Sequence, residues 1–284
     1  MKIGIIPVCY NAYADAARFL ESVEKASCAC SHLSLEVVLA DNSTVDAPLG
    51  IIHRESSFNY TYQKNSNIGY FPAFNSGLSN LSGPTESYDF IIVCNVDLVV
   101  ADNFFIELTK QSLSENVGVI APGIFSDKDG RDLNPKMRTR PTRAKINFMR
   151  AICSSVLLFR LYHYLVRMKE NARSRSQARV SISSEPCKQS SVPSMYGAHG
   201  SFMIFTKNYF RRGAHTDYPR FLFGEEGFVA EQLRQHQLLI KHIPVIRVFD
   251  KEHASTSQIK LAFICAEHKK SYDYFYTNFL KERS

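Results

Sequence analysis

Short β-prone runs alternate with stretches of helical periodicity through the first half of the chain. Lys2–Val8, Leu35–Ala40, Asn59–Gln63, Phe90–Cys94 and Val117–Ala121 are bounded by turn residues, and this predicts five strands. Between them, Ala14–Ala26 places Ala17, Leu20, Val23 and Ala26 on one face at helical spacing, and Phe71–Leu81 and Asn103–Leu113 read as further helices. Strands and helices in alternation build a mostly parallel, Rossmann-like sheet flanked by helices, so the expected class is α/β. Ligands of such sheets gather at the carboxyl ends of the strands. That rule singles out Pro7-Val8-Cys9-Tyr10-Asn11, Asp41-Asn42-Ser43, the segment Asn65–Gly69, and Asn95-Val96-Asp97. Asn, Asp, Ser and Gly are also ordinary turn residues, so it is their recurrence after four strands that points to a nucleotide.

The alternation stops after about Gly123. Ile146, Met149, Ile152, Val156, Phe159 and Tyr162 fall at helical spacing among arginines, which predicts one amphipathic basic helix over Lys145–Met168. The Ser/Arg-rich stretch Asn171–Ser191 has no apolar face and reads as a mobile loop. Beyond it the pattern gives a strand at Gly200–Thr206, a helix at Glu226–His236, a strand at Leu238–Val248 broken by Pro244, and a terminal helix at Leu261–Leu280. A length of 284 residues, 45% of them hydrophobic, suits one elaborated domain. We expect a nucleotide-sugar half over residues 1–122 and an acceptor half over 123–284, the latter carrying a basic helical insertion at 144–192 and the terminal helix.

The formal net charge of +7 calls for an anionic partner, and the surplus is local: from Lys136 to Arg179 the only acid is Glu170. The Lys145–Met168 helix has an apolar face flanked by cations, as a helix lying on an anionic membrane surface requires; a helix packed over an acceptor site with a solvated basic face has the same pattern. Nucleic acid is not expected, because Tyr and Phe are not interleaved with the cations of Arg167–Arg179 as a stacking platform needs. Ile3–Val8 is too short for a signal-peptide core and lacks a small-residue cleavage site. No stretch offers the roughly twenty apolar residues of a membrane span. The seven scattered cysteines read as free thiols. The expected location is the cytoplasm, with peripheral attachment to the inner face of the cytoplasmic membrane.

Three places carry candidate chemistry. Asp97 follows an apolar strand, where a carboxylate is solvent-facing and rigidly placed, and Mg2+ or Mn2+ needs only one or two such ligands beside substrate phosphates; capping of the next turn is the plain alternative. Glu225 and Glu226 follow Phe221-Leu222-Phe223-Gly224 just before a helix. One carboxylate near apolar walls and a second negative charge gains affinity for protons and suits a general base, although acids also favour helix amino termini for the dipole alone. His253 could ligate a metal or a phosphate, or be an ordinary surface residue.

Taken together these segments resemble glycosyltransferase family 2, the inverting group with the GT-A fold, and its bacterial polysaccharide-type members. The family's Tyr-Asn after the first strand is matched by Tyr10-Asn11, its Asp-Asn-Ser by Asp41-Asn42-Ser43, its Asn-x-Gly…Asn by Asn67-Ile68-Gly69 and Asn75, and its Asp-x-Asp motif by Asn95-Val96-Asp97. Gly197–Phe205 is similar to its strand entering the acceptor region, and Phe223-Gly224-Glu225-Glu226 to its Glu-Asp base motif. The resemblance implies a hexosyltransferase-like enzyme using a nucleotide-diphosphate sugar, a divalent cation, and a saccharide or polyprenyl-linked saccharide acceptor in surface polysaccharide biosynthesis. By the same resemblance Pro7, Tyr10 and Asp41 would contact the nucleoside, with Asn11 and Asn75 in the matched donor motifs. Asn67 and Gly69 would line the pocket, and Asp97 with His253 would hold the metal. Glu226 would be the base, and Glu225 would orient it or bind acceptor hydroxyls. Asn95 stands where the first acid of Asp-x-Asp would be, so it reaches a metal only through its carbonyl or a water. Glu226 replaces the commoner Asp, which leaves the choice between the two glutamates open.

Two other readings have definite signatures. A sugar-phosphate nucleotidyltransferase needs an early Gly-rich basic phosphate loop, which Pro7–Asn11 is not. A non-catalytic nucleotide-sugar or polyanion-binding module would keep the pocket without turnover.

Overall fold

A computed structural model describes residues 1–180, 195–251 and 260–281, with side chains up to residue 169 in the first stretch. Two compact units emerge: Met1–Arg140 with Met195–Gln258, and Pro141–Ser194 with Ile259–Ser284.

The first unit is built on β1 (Lys2–Cys9), α1 (Tyr13–Cys28), β2 (Ser34–Asp41), α2 (Leu49–Ile52), β3 (Asn59–Lys64), α3 (Tyr70–Leu78), β4 (Phe90–Asn95), β5 (Leu98–Val100), α4 (Phe104–Thr109) and β6 (Val117–Ser126). The second unit holds α5 (Arg143–Ile152) and α6 (Val156–Val180). The chain then returns to the first with β7 (Phe202–Thr206), α7 (Lys207–Arg211), α8 (Glu225–Gln235) and β8 (Leu239–Asp250), and closes the second with α9 (Leu261–Phe275).

One sheet of eight strands runs in the order β3-β2-β1-β4-β7-β6-β8-β5. The β3-β2-β1-β4 half is parallel throughout, β7 is antiparallel to both its neighbours, β6 and β8 are parallel, and β5 is antiparallel to β8. The carboxyl ends of β1, β2, β3, β4 and β6 therefore share an edge, and the reversal of β7 brings its entry, Gly200-Ser201, to that edge too: Asn95 N–H donates to Ser201 O at 2.9 Å. Central strands read as continuous apolar runs because helices cover both faces. Ala16, Phe19, Leu20, Val23 and Ala26 of α1 are all buried, with Ala16 and Phe19, not Ala17, completing the face.

Four expectations are corrected. Residues 98–100 form a short antiparallel edge strand, too short to leave a pattern. Pro244 does not break β8; the register against β6 jumps from Pro122↔Ile243 to Gly123↔Arg247, so the proline sits in a bulge where no ladder N–H is needed. The single basic helix is two, parted at Cys153–Ser155: Thr142 caps α5 by accepting from Lys145 N–H at 3.2 Å, and Ser155 O accepts the first bond of α6 from Phe159 N–H at 3.0 Å. The stretch taken for a loop from Asn171 is helical through Val180, in keeping with the helix propensity of its Ala, Arg and Gln residues, while 181–191 lies outside the described residues. In the second unit Arg150 pairs with Asp273 at 2.6 Å between α5 and α9.

Candidate active site

The loops after β1 and β2 are clasped to each other. Asn11, in the left-handed region at φ 51°, accepts from Thr44 N–H through its side-chain oxygen at 3.0 Å, while its own N–H donates to Ser43 Oγ at 2.7 Å. Asn tolerates that conformation better than other non-glycine residues. The clasp leaves the Tyr10 ring exposed. Pro7 is not in this loop; it lies inside β1, buried and opposite Cys94, because the strand continues to Cys9.

Asp41 ends β2 and is fully buried. Oδ2 accepts from Tyr13 Oη (2.9 Å), Tyr62 Oη (2.7 Å) and Lys64 Nζ (3.1 Å), and Oδ1 from Ser43 N–H (2.8 Å). Burial works to raise its pKa, but the bonds from Ser43, Tyr62 and Lys64 outweigh burial and hold it below the ordinary carboxylate value. Its oxygens are already taken by four donors, so Asp41 fixes Tyr13, Tyr62 and Lys64 around the loop.

The next loop needs its glycine. Gly69 has φ 101°, and a Cβ there would stand 2.5 Å from Phe221 O and 2.7 Å from Phe221 Cα. Its carbonyl accepts from Asn42 Nδ2 at 2.9 Å, and Tyr70 N–H donates to Phe221 O at 2.9 Å, so the backbone of this loop lies directly against the segment before α8. Asn67 at φ 53° makes the preceding turn. Asn75 is a clasp and not a loop residue: Nδ2 donates to Thr216 O at 2.8 Å and Oδ1 accepts from Thr216 Oγ1 at 2.5 Å.

Asp97 occupies the bend between β4 and β5 and is 9% exposed, not solvent-facing; its carbonyl accepts from Lys251 N–H at 3.3 Å as the chain crosses to β5 beside β8. Glu225 and Glu226 open α8 after Gly224, whose left-handed φ of 93° turns the chain into the helix. Both carboxylates stand over Gly200: a Cβ there would be 3.0 Å from Glu225 Oε1 and 3.1 Å from Glu226 Oε1. Burial, then repulsion from Glu226, pushes the Glu225 pKa up to about 8 against the pull of its backbone bond and of Lys136. Tyr70 ties the pieces together. Its buried hydroxyl donates to Gly200 O at 2.8 Å, and burial, with the nearby charges of Cys94, Glu225, Glu226 and Asp97, keeps its proton on well beyond the ordinary tyrosine range.

Asp97, Glu225 and Glu226 thus share one neighbourhood, and His253 lies outside the described residues. Among the described residues no three His, Cys, Asp or Glu side chains form a cluster able to hold a metal alone. The donors present at Asn95 and Asp97 are hard oxygens, the chemistry that Mg2+ and Mn2+ accept when phosphate oxygens complete the shell, so the residues fit a cation shared with a diphosphate.

Helix α8 is anchored from below by Glu231, which is fully buried. Arg140 Nε (2.6 Å), Arg140 Nη2 (3.1 Å), Arg234 Nε (2.8 Å) and the Tyr196 hydroxyl all donate to its carboxylate. Burial raises its pKa, and the bonds from Arg140, Tyr196 and Arg234 more than reverse that. Glu231, Tyr70 and Gly200 were not singled out by the sequence. The signal available for Tyr70 was its place directly after Gly69; for Glu231 there was none beyond its position one turn along from the paired acids.

A mixed sheet of this topology, with helices flanking it and polar loops and paired acids on one edge, has the GT-A fold of glycosyltransferases. The chain belongs to glycosyl transferase family 2, whose family model matches residues 5–180. Among curated proteins none matches it. Of the solved structures it is similar to S. aureus TarS 1-349, at 12% identity and a TM-score of 0.52, over 99% of this chain and 76% of that one. TarS 1-349 in complex with UDP-GlcNAc gives 12% and 0.53 over 98% and 73%. The mannosyltransferase PcManGT from Pyrobaculum calidifontis, in complex with GDP-Man and Mn2+, gives 13% and 0.51 over 95% and 69%. At these identities the likeness is one of fold. No described helix is long and apolar enough to cross a membrane.

Proposed function

We propose that this glycosyltransferase is an inverting hexosyltransferase that moves a sugar from a nucleotide-diphosphate donor to a hydroxyl of a saccharide acceptor in surface polysaccharide biosynthesis. The observation that carries the reading is the pair Glu225 and Glu226 held over Gly200, in one neighbourhood with Asp97. In a single displacement the acceptor oxygen gives its proton to a carboxylate as it bonds to the anomeric carbon, and the diphosphate leaves from the opposite face. Burial and the neighbouring Glu226 charge hold a proton on Glu225 up to about pH 8, which suits it to hydrogen-bond acceptor hydroxyls, and Glu226 takes the base role that the family's motif implies.

Residues 1–122 supply the donor side and residues from 123 the acceptor side. Tyr10, Asn67 and Gly69 meet the nucleoside, with Asp41 and Asn11 holding the loops around them. Among the described residues two buried amide atoms at these loops, Asn42 Oδ1 and Asn65 Nδ2, have no hydrogen-bond partner; one accepts and one donates, as the edge of a nucleobase requires. The ligands of the structural neighbours, UDP-GlcNAc and GDP-Man with Mn2+, give the donors to try first. Asp97, with His253 and with Asn95 through its carbonyl or a water, would hold Mg2+ or Mn2+, which offsets charge growing on the leaving diphosphate.

The test is a thermal-shift screen of UDP- and GDP-sugars with and without Mn2+, followed by turnover. Asp97→Ala should abolish metal-dependent transfer. Glu226→Gln should cut turnover by about 10²–10⁴-fold with the donor-induced thermal shift retained; near-normal turnover would move the base to Glu225, and no nucleotide-sugar response at all would refute the reading.

A lipid-linked acceptor is favoured by one observation in the second unit. Leu157, Leu161, Tyr164, Leu165 and Met168 recur on one face of α6 and each is more than half exposed, with Arg160 and Arg167 on one flank and Lys169 on the other. Such a face suits an anionic bilayer surface on the cytoplasmic side. Flotation with liposomes should show binding that grows with anionic lipid; no binding with or without it would sink the membrane reading.

A further inference from the structure

Beside the paired acids lies a cavity of about 320 Å³ that the donor and base residues do not use. Arg131, Lys136, Arg138 and His199 line it, together with Asp132 and Asn134. Its walls are the segment following β6 and the segment leading into β7, so it belongs to the half of the edge away from the loops of β1, β2 and β3. His199 immediately precedes Gly200, the residue beneath both carboxylates, and Lys136 is one of the charges acting on Glu225. A ligand seated in the cavity is therefore next to the groups that would take its proton.

The walls are built, not draped. Asn134 is 6% exposed, and its side chain spans the gap, with Nδ2 donating to Pro122 O at 2.8 Å and Oδ1 accepting from His199 N–H at 2.8 Å. Met137 and Gly197 pair as an antiparallel bridge behind it. The charge is one-sided. The single acid of the lining, Asp132, is already engaged: Oδ1 accepts from the N–H groups of Ile124 (3.0 Å) and Asn134 (2.9 Å), and Oδ2 lies 3.0 Å from His242 Nε2. Among the described residues neither Lys136 nor Arg138 has a carboxylate within ion-pair distance. Lys136 Nζ instead faces His199 Nε2 at 3.4 Å. Arg131 lies 3.6 Å from Asp129, so Lys136 and Arg138 carry the cavity's uncompensated charge, and holding them around one hollow costs Coulomb energy that a bound anion would recover.

We propose that this cavity binds a phosphate group of the acceptor, so that the sugar is transferred to a phosphate-bearing molecule and not to a neutral saccharide. The proposal rests on the sugar-transfer reading for what the acceptor is. A carboxylate would be satisfied by one guanidinium fork, whereas a phosphate ester carries more acceptor oxygens and more charge, which suits a cavity lined by Lys136 and Arg138 with Arg131 at its wall. The phosphate could belong to a sugar phosphate or to a lipid diphosphate, and both present the same chemistry to Lys136 and Arg138.

The experiment is calorimetric titration of the full chain saturated with UDP or GDP, whichever stabilises it, and Mn2+, so that the donor site is filled. Glucose 1-phosphate, farnesyl diphosphate, glucuronate and glucose are added in turn. Glucose 1-phosphate or farnesyl diphosphate should bind on top of the nucleotide, more weakly as salt is raised, and the tighter of the two identifies the source. Glucose should not bind and glucuronate should bind less well than the phosphates. Lys136 and Arg138 are exposed, so Lys136→Ala/Arg138→Ala should fold normally and weaken phosphate binding by about 100-fold, roughly tenfold per charged contact removed. No phosphate binding by protein that takes up the nucleotide, unchanged affinity in the double variant, or glucose binding as well as glucose 1-phosphate would each overturn the proposal. Phosphate binding through Lys136 and Arg138 in a chain that takes up neither nucleotide would keep the cavity's ligand and overturn the donor site instead.

Discussion

Replacing Glu225 by glutamine should make the protein more stable, and only above acid pH. Burial and the Glu226 charge raise the Glu225 pKa from 4.5 to about 8. Below pH 4.5 the carboxyl is protonated whether the chain is folded or not. Between that value and about 8 the unfolded chain releases the proton while the folded chain retains it, so the native state binds more protons and stability falls as pH rises. Each tenfold displacement of an ionisation constant is worth about 1.4 kcal/mol, which makes the loss across the interval on the order of 2–4 kcal/mol once the repulsion shared with Glu226 is allowed for. Glutamine keeps the shape and removes the titration. For a chain of this size about 2–4 °C accompanies each kcal/mol. Calorimetric melts should therefore show wild type and Glu225→Gln melting together at pH 4.5 and the variant melting roughly 5–15 °C higher at pH 8.5. Identical pH dependence in the two proteins would mean that the Glu225 carboxyl is not penalised on folding, and the role given to Glu225 as a proton-bearing partner would fall with it.

Three further changes test the frame around the acids. Gly69→Ala forces an L-residue to φ 101° with its Cβ 2.5 Å from Phe221 O; a loss of about 2–4 kcal/mol is expected from urea melts, and a near-neutral result would refute the close approach. Gly200→Ala puts a methyl 3.0 and 3.1 Å from the two carboxylates and should lower turnover by about tenfold to a hundredfold with the donor-induced thermal shift unchanged. Glu231→Gln removes the buried carboxylate that accepts from Arg140 and Arg234 and, because both arginines are partly exposed, should cost about 1–3 kcal/mol in denaturant unfolding; a wild-type midpoint would show the network to be dispensable.

Within the parallel half, β1, β2 and β4 were legible because they are buried on both faces and each stands out as an unbroken apolar run closed by a polar loop, while the edge strand β3 was marked by its β-prone Tyr and Thr residues between turns. Those runs and loops sufficed for the fold class and for the family. What pattern could not give was direction. β7 reads as an apolar run like any other, and only its pairing with β4 and β6 reveals that its entry, not its exit, faces the site. β5 was lost to its length, and the Cys153–Ser155 break was lost because no Gly or Pro marks it. At the site, the residue types of Asp41 and Asp97 were picked out from their places after strands, but their surroundings were not. Asp41 is enclosed by Tyr13, Tyr62 and Lys64, the first at the start of α1 and the other two from the neighbouring strand, and Asp97 is buried in the bend after β4, which its residue type alone does not announce. Lys136 was noticed as one cation in a long basic run. Its distinction from the others is spatial: it stands over a cavity beside Glu225.

Tyr70 explains why the donor loop and the acids form one piece. Its N–H holds Phe221 O, its hydroxyl holds Gly200 O, and Gly69 just before it is held through its carbonyl by Asn42. Burial, and after it the nearby charges of Cys94, Glu225, Glu226 and Asp97, oppose loss of the hydroxyl's proton, so it remains a donor throughout the pH range in which Glu225 titrates. The floor under the carboxylates is thus fixed from the loop between β3 and α3 and does not loosen when Glu225 ionises. A proton gained or lost by the acids changes their charge and leaves their positions to Gly200 and to the Glu231 anchor, which separates the chemistry of the pair from its geometry.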